Sequence, residues 1–449
     1  MAFAKLGSSG GRFPTPLKPL MALASLGDSR VARFYQSLGN NFGFSGYTHF
    51  TCANARAKHP FKVVYNGGNS GDQSDQMLAR LPAAIASGAG TMWIQIGVND
   101  VNNAGTGYTT VNTIGPNQGV AVTTANVALV CFQNMQYAAQ QFLQAGGQCV
   151  IINLECGAEV FGTAQIAACI NLNQRLREFA EVTQGVLIYD LWSQMHDPAA
   201  STTSTLRFKS GYAAEASGSG THMSNKGAYV VGKDLAAFFA SNFPTAIPYL
   251  PSDVNEVTGI TTNNLLLNPM FMTTSGGTGS GSNGITGTIP GSWTVDRTGG
   301  GGTQTAVIST GTPGDGSPGT ECIMACTFAA AGDIIRIRQD AVIANISIGD
   351  ILEGVGVVVV DAGGVLAGVQ MDLQYSDGSA TWNLTDLKPL DNNPIPTDGV
   401  TYYMKTPPYP VTVKSGSPFM SMRLYAIGSG SGTATVRWRS LQARKRFAL

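Results

Sequence analysis

The chain has 449 residues, of which only 12% are charged; 27 Lys+Arg balance 27 Asp+Glu, and there are 56 glycines. This length accommodates two domains, each with its own core, while the balanced charge excludes the basic excess typical of a nucleic-acid binder. No apolar stretch is long enough to insert into a membrane, and Met1 to Lys5, followed by the glycines from Gly7 to Gly11, lacks the pattern of a signal peptide.

Residues 1–19, with Pro14, Pro16 and Pro19, read as an irregular lead-in. From residue 20 to 243 short apolar runs alternate with longer helical patterns. The runs at 20–26, 62–66, 91–96, 148–154 and 185–191 predict strands. The stretches 29–38, 74–87, 124–145, 163–182 and 224–242 predict helices. This alternation implies an α/β fold, a doubly wound parallel sheet with helices on both faces in three layers.

The first predicted strand ends in Gly27-Asp28-Ser29. Val31, Phe34, Tyr35 and Leu38 then follow at the spacing of one buried helix face. A serine at a strand-to-helix turn presents its hydroxyl at the sheet edge, beside the N–H groups of the helix start. Asp and Ser are also ordinary turn and capping residues, so the tripeptide needs company. The second run leads into Asn66-Gly67-Gly68-Asn69-Ser70-Gly71-Asp72, and the third into Gly97-Val98-Asn99-Asp100. Ser29, Gly71 and Asn99 thus lie beyond the C-terminal ends of predicted strands, the edge at which open parallel sheets bind ligands. Of the four histidines, His222 lies in Thr221-His222-Met223-Ser224-Asn225, just before the last helical pattern, with Ser224 as its expected N-cap. His196, followed by Asp197 and Pro198, is its nearest competitor.

These four blocks, in this order, resemble those of the SGNH (GDSL-like) hydrolases, a family of esterases, lipases, thioesterases and carbohydrate deacetylases. The stretch from Ser70 to Gln73 running into Met77-Leu78-Ala79-Arg80-Leu81-Pro82 is especially similar to the family's second block. The resemblance implies a flavodoxin-like sheet, no cofactor, Ser29 as nucleophile and His222 as base. It also implies an oxyanion hole made by the Ser29 N–H, the Gly71 N–H and the Asn99 side-chain amide. Two positions depart from the family. Ser219 stands where an Asp three residues before the histidine usually orients the ring. The groups left to orient His222 are a backbone carbonyl, the Ser219 hydroxyl and Glu215, and the expected arrangement is a Ser–His dyad with a carbonyl. Arg30 stands where an apolar residue usually follows the nucleophile; it either contacts an anionic substrate group or pairs with a nearby carboxylate.

Residues 244–262, with Pro244, Pro248 and Pro251, read as a linker between separable halves. Residues 263–449 have no helical periodicity. They alternate with period two, as in Ile335-Arg336-Ile337-Arg338, between Gly-rich turns at 275–283, 298–302 and 428–432. An all-β jelly roll or sandwich is expected. Asn264 to Phe271, Gly291 to Val295, and Met422 to Val436 resemble parts of carbohydrate-binding jelly rolls. From Gly399 to Leu449 there is no Asp or Glu but eight Lys/Arg. These cations form either a solvated face or a contact for an anionic polysaccharide or a partner subunit. The seven cysteines show no zinc-site spacing with histidines and their number is odd, so neither a metal site nor a disulfide framework is expected and the chain should fold in a reducing cytoplasm.

Together these features predict a serine esterase that removes O-acyl groups, acetyl above all, from a polysaccharide held by the β domain. An SGNH domain joined to a jelly roll, with low charge and abundant glycine, resembles bacteriophage tail-fibre and tailspike esterases. That implies a virion component acting outside the cell and a homotrimer. A non-catalytic receptor-binding or structural fibre that keeps the fold is one alternative, and a lipase or thioesterase acting on acyl chains is the other.

Overall fold

The computed structural model describes residues 18–446 apart from 33–35, 39–40, 46–48, 58–60, 245–263, 280–283, 299–302, 342–345, 390 and 413–418. Most of the expected lead-in (1–17) and all of the expected linker except Pro244 lie outside the described residues.

Five strands form a wholly parallel sheet in the order Lys62–Gly68, Ala22–Gly27, Thr91–Gln95, Cys149–Asn153, Val186–Tyr189. Every residue of Thr91–Gln95 and Cys149–Asn153 is buried, because helices cover both faces. Side chains alternate across the strands. Met92 and Ile94 therefore pack with Phe142 of helix Val127–Gln144 and Leu172 of helix Thr163–Val182. Trp93 packs on the other face with Phe50 of helix His49–Arg56 and Phe239 of helix Asn225–Asn242. Among the described residues no helix is long and apolar enough to cross a membrane.

Two of the expected helices depart from the sequence pattern. The one expected over 29–38 stops after Ser29–Ala32. Gln36–Leu38 and Asn41–Ser45 instead form an antiparallel hairpin, and Phe34 and Tyr35 lie outside the described residues. Tertiary pairing overrides the local helical spacing. The helix expected over 74–87 is two, Ser74–Leu78 and Leu81–Ala86; Pro82 lacks the N–H needed to continue the first and suits the start of the second. The short helices His49–Arg56, Val98–Ala104 and Leu191–Met195 were not expected.

Among the described residues the C-terminal half builds two largely antiparallel sheets, of six and seven strands, and the hairpin Gln36–Leu38 and Asn41–Ser45 brings the first to eight. They close on one apolar core, with Ile335, Met371, Met422 and Leu424 from one sheet meeting Met324, Val358, Val436 and Trp438 from the other. It is a β-sandwich. Its basic C-terminal strand is neutralised internally. Arg437 pairs with Asp361 at 2.7 Å and Glu321 at 3.1 Å, Arg439 with Asp315 at 2.7 Å, Arg444 with Glu353 at 2.7 Å, and Lys445 with Asp350 at 3.4 Å. Lys405 pairs with Glu353 at 2.9 Å. These acids precede residue 399 and come from neighbouring strands and turns, so these five cations are held by internal partners.

The halves are joined more closely than a linker implies. Strand Asn41–Ser45 runs parallel to Thr381–Lys388 and extends the eight-stranded sheet. Cys52, Ala55, Ala228 and Tyr229 belong to the sandwich's own apolar cluster. The Tyr229 hydroxyl donates to Asp398 at 2.6 Å, Lys233 pairs with the same carboxylate, and the Asn225 amide donates to the Asp391 carbonyl at 2.6 Å. All seven cysteines are buried free thiols.

Candidate active site

Strands Lys62–Gly68, Ala22–Gly27 and Thr91–Gln95 are adjacent and parallel, so the segments leaving their C-terminal ends share one edge. At the centre, a Cβ on Gly27 would lie 2.1 Å from the Gln95 carbonyl oxygen and 2.4 Å from Val31 Cγ2. Only glycine allows this close approach of strand and helix. Asp28 is buried. Its carbonyl accepts the Val31 and Ala32 N–H groups at 3.1 and 2.8 Å, and its carboxylate accepts the Arg30 N–H at 2.9 Å. Burial pushes the Asp28 carboxyl up to about 7, with Arg30 opposing the rise.

This turn delivers Ser29 as the first residue of its helix, with Oγ 2.8 Å from His222 Nε2. The His222 Nδ1 lies 2.5 Å from Glu215 Oε1. Glu215 Oε2 accepts the Thr221 and His222 backbone N–H groups, both at 3.0 Å. Partial burial would raise this carboxyl. The two amides and the His222 ring outweigh that effect and hold it down at about 2. A carboxylate only accepts hydrogen bonds, so Nδ1 is the nitrogen that carries a proton towards Glu215, and in the neutral form of the ring Nε2 turns its lone pair to Ser29.

Local pairing explains why a residue seven positions before the histidine reaches its ring. Ala213 bridges Met223 in antiparallel fashion, and the Ala214 N–H donates to the His222 carbonyl at 2.9 Å. The two arms of the loop run side by side, which brings Glu215 to His222. Ser224 then caps helix Asn225–Asn242, accepting the Gly227 N–H at 3.1 Å.

Gly71 has φ +86 and is exposed, with no atom within 4 Å of the place a Cβ would occupy. Its loop is tied to the strand ends. The Asn69 N–H donates to the Gly27 carbonyl at 3.1 Å, and Arg80 pairs with Asp72 at 2.5 Å while donating to the Gly67 carbonyl at 2.6 Å. The Asn99 side-chain amide donates to the Asp72 carbonyl at 3.0 Å, which brings Asn99 beside the Gly71 loop. Behind it, buried Asp100 accepts the Ser74 N–H and hydroxyl and the Tyr108 hydroxyl.

Residues 25–229 match the model of the GDSL-like lipase/acylhydrolase family. The N-terminal half is a GDSL-like acylhydrolase, a carboxylic ester hydrolase. No curated protein matches the chain. Similar solved structures include a catalytic mutant of Axe2, an acetylxylan esterase from Geobacillus stearothermophilus, at 18% identity and TM-score 0.33, covering 52% of this chain and 98% of that one. The enzymatically active domain of tailspike protein 4 from bacteriophage CBA120 matches at 12% identity and TM-score 0.25, over 41% of this chain and 21% of that one. A carbohydrate-binding module of the β-sandwich superfamily matches at 11% identity and TM-score 0.25, over 34% of this chain and 56% of that one. The chain therefore spans about a fifth of the tailspike structure and little more than half of the module structure.

Within the acylhydrolase half, Ser29, His222 and Glu215 are joined by hydrogen bonds, and Asn99 meets the loop of Gly71. Two other predicted site residues lie elsewhere. Ser219 is exposed and its hydroxyl donates to the Ala216 carbonyl at 2.8 Å, within its own turn. The expected dyad with a carbonyl gives way to a ring held by Glu215. Arg30 takes the second of its two expected roles: its side chain is 5% exposed and pairs with Glu155 at 2.8 Å. The competitor His196 is a buried ring set edge-on to Trp192 with centroids 4.1 Å apart, and burial lowers it to about 4.

Sequence reasoning missed Glu159 altogether. Its Oε2 accepts the Gly218 and Gly220 N–H groups at 2.8 and 3.2 Å, and its Oε1 the Phe208 N–H at 2.8 Å. It therefore shapes the loop that carries Glu215 and His222. The available signal was a pair of acids, Glu155 and Glu159, just beyond an apolar strand in a chain with few charges. A cavity of about 370 Å³ between strand Lys62–Gly68 and the sandwich, lined by Phe61, Tyr65, Glu353 and Lys405 among others, includes none of the site residues. Among the described residues no group of three or more His, Cys, Asp and Glu is placed to hold a metal ion.

Proposed function

We propose that this acylhydrolase works through Ser29, His222 and Glu215, and that it removes O-acyl groups, acetyl in the first instance, from a polysaccharide. One observation carries the catalytic reading: Ser29 Oγ lies 2.8 Å from a histidine nitrogen while the other nitrogen of that ring lies 2.5 Å from a carboxylate. Ser29 Oγ attacks the ester carbonyl as Nε2 takes its proton, and Glu215 stabilises the resulting imidazolium. The tetrahedral oxyanion is received by the Ser29 and Gly71 N–H groups and the Asn99 amide. The leaving alkoxide takes the proton from Nε2, leaving an acyl-serine. Water then attacks that ester with His222 again as base, which releases the carboxylic acid and restores Ser29. Gly71 suits its role because its turn is open where a side chain would crowd the substrate.

The β-sandwich packed on the acylhydrolase half supports a polymeric substrate, with the sandwich meeting the sugar chain. In the same reading the protein is a homotrimeric tail-fibre or tailspike component of a phage particle. The test is acetate release from O-acetylated polysaccharides by the full chain and by Ser29→Ala, with light scattering for the oligomer. Release by the wild type alone supports the reading. Hydrolysis confined to long-chain esters favours a lipase or thioesterase, and inertness towards every ester favours a binding fibre.

A further inference from the structure

We propose that Arg30 is a positioning residue that locks the turn of the nucleophile to the loop of the histidine. This rests on the roles given to Ser29 and His222 above. Arg30 adjoins Ser29 in sequence, and Thr221 adjoins His222. The Arg30 Nε and Nη2 both donate to the Thr221 carbonyl, at 3.1 and 3.0 Å. That carbonyl belongs to the same peptide unit as the His222 N–H, which donates to Glu215 Oε2 at 3.0 Å. The peptide is planar, and it is gripped at both edges, by a guanidinium on its carbonyl and a carboxylate on its amide. Its orientation sets where the His222 ring begins.

The guanidinium is itself fixed. Nη1 donates to Glu155 Oε1 at 2.8 Å and Nη2 to the Gly157 carbonyl at 2.6 Å. Glu155 is held in turn by the Gly157 N–H at 2.7 Å, and its backbone by the Asn173 amide at 2.8 and 2.9 Å. Asn173 lies in the twenty-residue helix Thr163–Val182, so the chain of contacts ends on a rigid element. Such an anchor is needed, because Ser29 sits on a helix of four residues and His222 on a loop. A misplacement of about 1 Å between reacting groups costs on the order of a hundred-fold in rate. Lysine cannot take over fully. Its ammonium keeps the ion pair but does not span Glu155, Gly157 and Thr221 with a planar fork.

Removing Arg30 alone would leave Glu155 buried without its cation, so the informative variant is Arg30→Met/Glu155→Gln, which removes both charges and keeps an acceptor for Gly157. Hydrolysis of p-nitrophenyl acetate is followed in the full chain, alongside Ser29→Ala and Arg30→Lys. The expected result is kcat lower by roughly ten- to a hundred-fold with KM within about two-fold. The low-field proton resonance of His222 Nδ1–H should broaden or shift, and Arg30→Lys should fall between the double variant and wild type. A merely structural role would lower the melting temperature and the amount of folded enzyme but leave kcat per folded active site and the resonance unchanged. Wild-type kcat in the double variant, with Ser29→Ala inactive, overturns the role of Arg30 alone. Full activity in Ser29→Ala overturns the catalytic reading and the clamp with it. If the double variant does not fold, Arg30→Lys decides: wild-type kcat and an unchanged resonance overturn the clamp.

Discussion

Glu215 Oε1 lies 2.5 Å from His222 Nδ1, although Glu215 comes seven residues before the histidine and across a hairpin from it. The carboxylate reaches the ring from the opposite arm, a longer side chain on a longer route. Ser219, at the position three residues before the histidine, is turned towards the Ala216 carbonyl.

Glu215→Gln should therefore lower kcat on small esters by about a thousand-fold or more, on the scale of losing the triad carboxylate in serine proteases. Ser219→Ala should change it little. Ser219→Asp should give no gain, because Glu215 already holds the ring and the side chain at 219 is exposed and bonded to Ala216 in its own turn. Steady-state kinetics of the three variants checks this; a Ser219→Ala enzyme as damaged as Glu215→Gln would reassign the third member.

Asn99→Ala should lower kcat by roughly a hundred-fold or more with KM little changed, the pattern of a donor used in the transition state. Its amide already donates to the Asp72 carbonyl at 3.0 Å, so the loop of Gly71 should also loosen. An effect confined to KM would make Asn99 a substrate-binding residue only.

The parallel sheet, its edge and the placement of Ser29, Gly71, Asn99 and His222 were legible because each is encoded locally. Apolar runs mark the strands, and Ser29, Gly71 and Asn99 follow them. Glu215 was one choice among three, since only the pairing of Ala213 with Met223 brings it to His222. The clamp on Thr221 was not legible at all: Arg30 and Thr221 are 191 residues apart and meet only in the fold. The helical spacing from Val31 to Leu38 misled for the same reason, because Asn41–Ser45 takes its partner from Thr381–Lys388.

Burial raises Asp28, Asp100 and Asp386 from 3.8 to about 7 each. Between those values the folded protein holds protons that the unfolded chain has lost, so stability falls as pH rises through about 7. Glu215, held down at about 2 from 4.5, acts in the opposite sense, and its contribution is lost as pH falls from 4.5 towards 2. Buried His49 and His196, lowered from 6.5 to about 3 and about 4, also act in the opposite sense and offset part of the decline up to about pH 6.5. The melting temperature should therefore fall most clearly between about pH 6.5 and about 7 and level off above that. Asp386→Asn should flatten that decline, since an amide still accepts the Lys405 N–H that Asp386 accepts at 2.8 Å. Calorimetry across this range tests it; a melting temperature that rises from mildly acidic to alkaline buffer would contradict the assignment.

The acylhydrolase half should not survive removal of the sandwich. Ending the chain near Pro251 strips strand Asn41–Ser45 of its partner Thr381–Lys388 and leaves an unpaired sheet edge twelve residues beyond Ser29. It also uncovers Cys52, Ala55, Ala228 and Tyr229, which are buried in the sandwich's apolar cluster. Arg56 lies 4.8 Å from the Tyr229 ring and 6.0 Å from the Tyr402 ring, so the cut would also remove half of its aromatic cover. The truncated chain should be insoluble or inactive on p-nitrophenyl acetate. In the full chain, Tyr229→Ala should cost about 3 kcal/mol of stability, the scale for deleting a buried aromatic ring. It should leave kcat nearly unchanged at temperatures where the variant stays folded. A soluble truncated chain with wild-type kcat would show that the two halves fold independently despite the shared core.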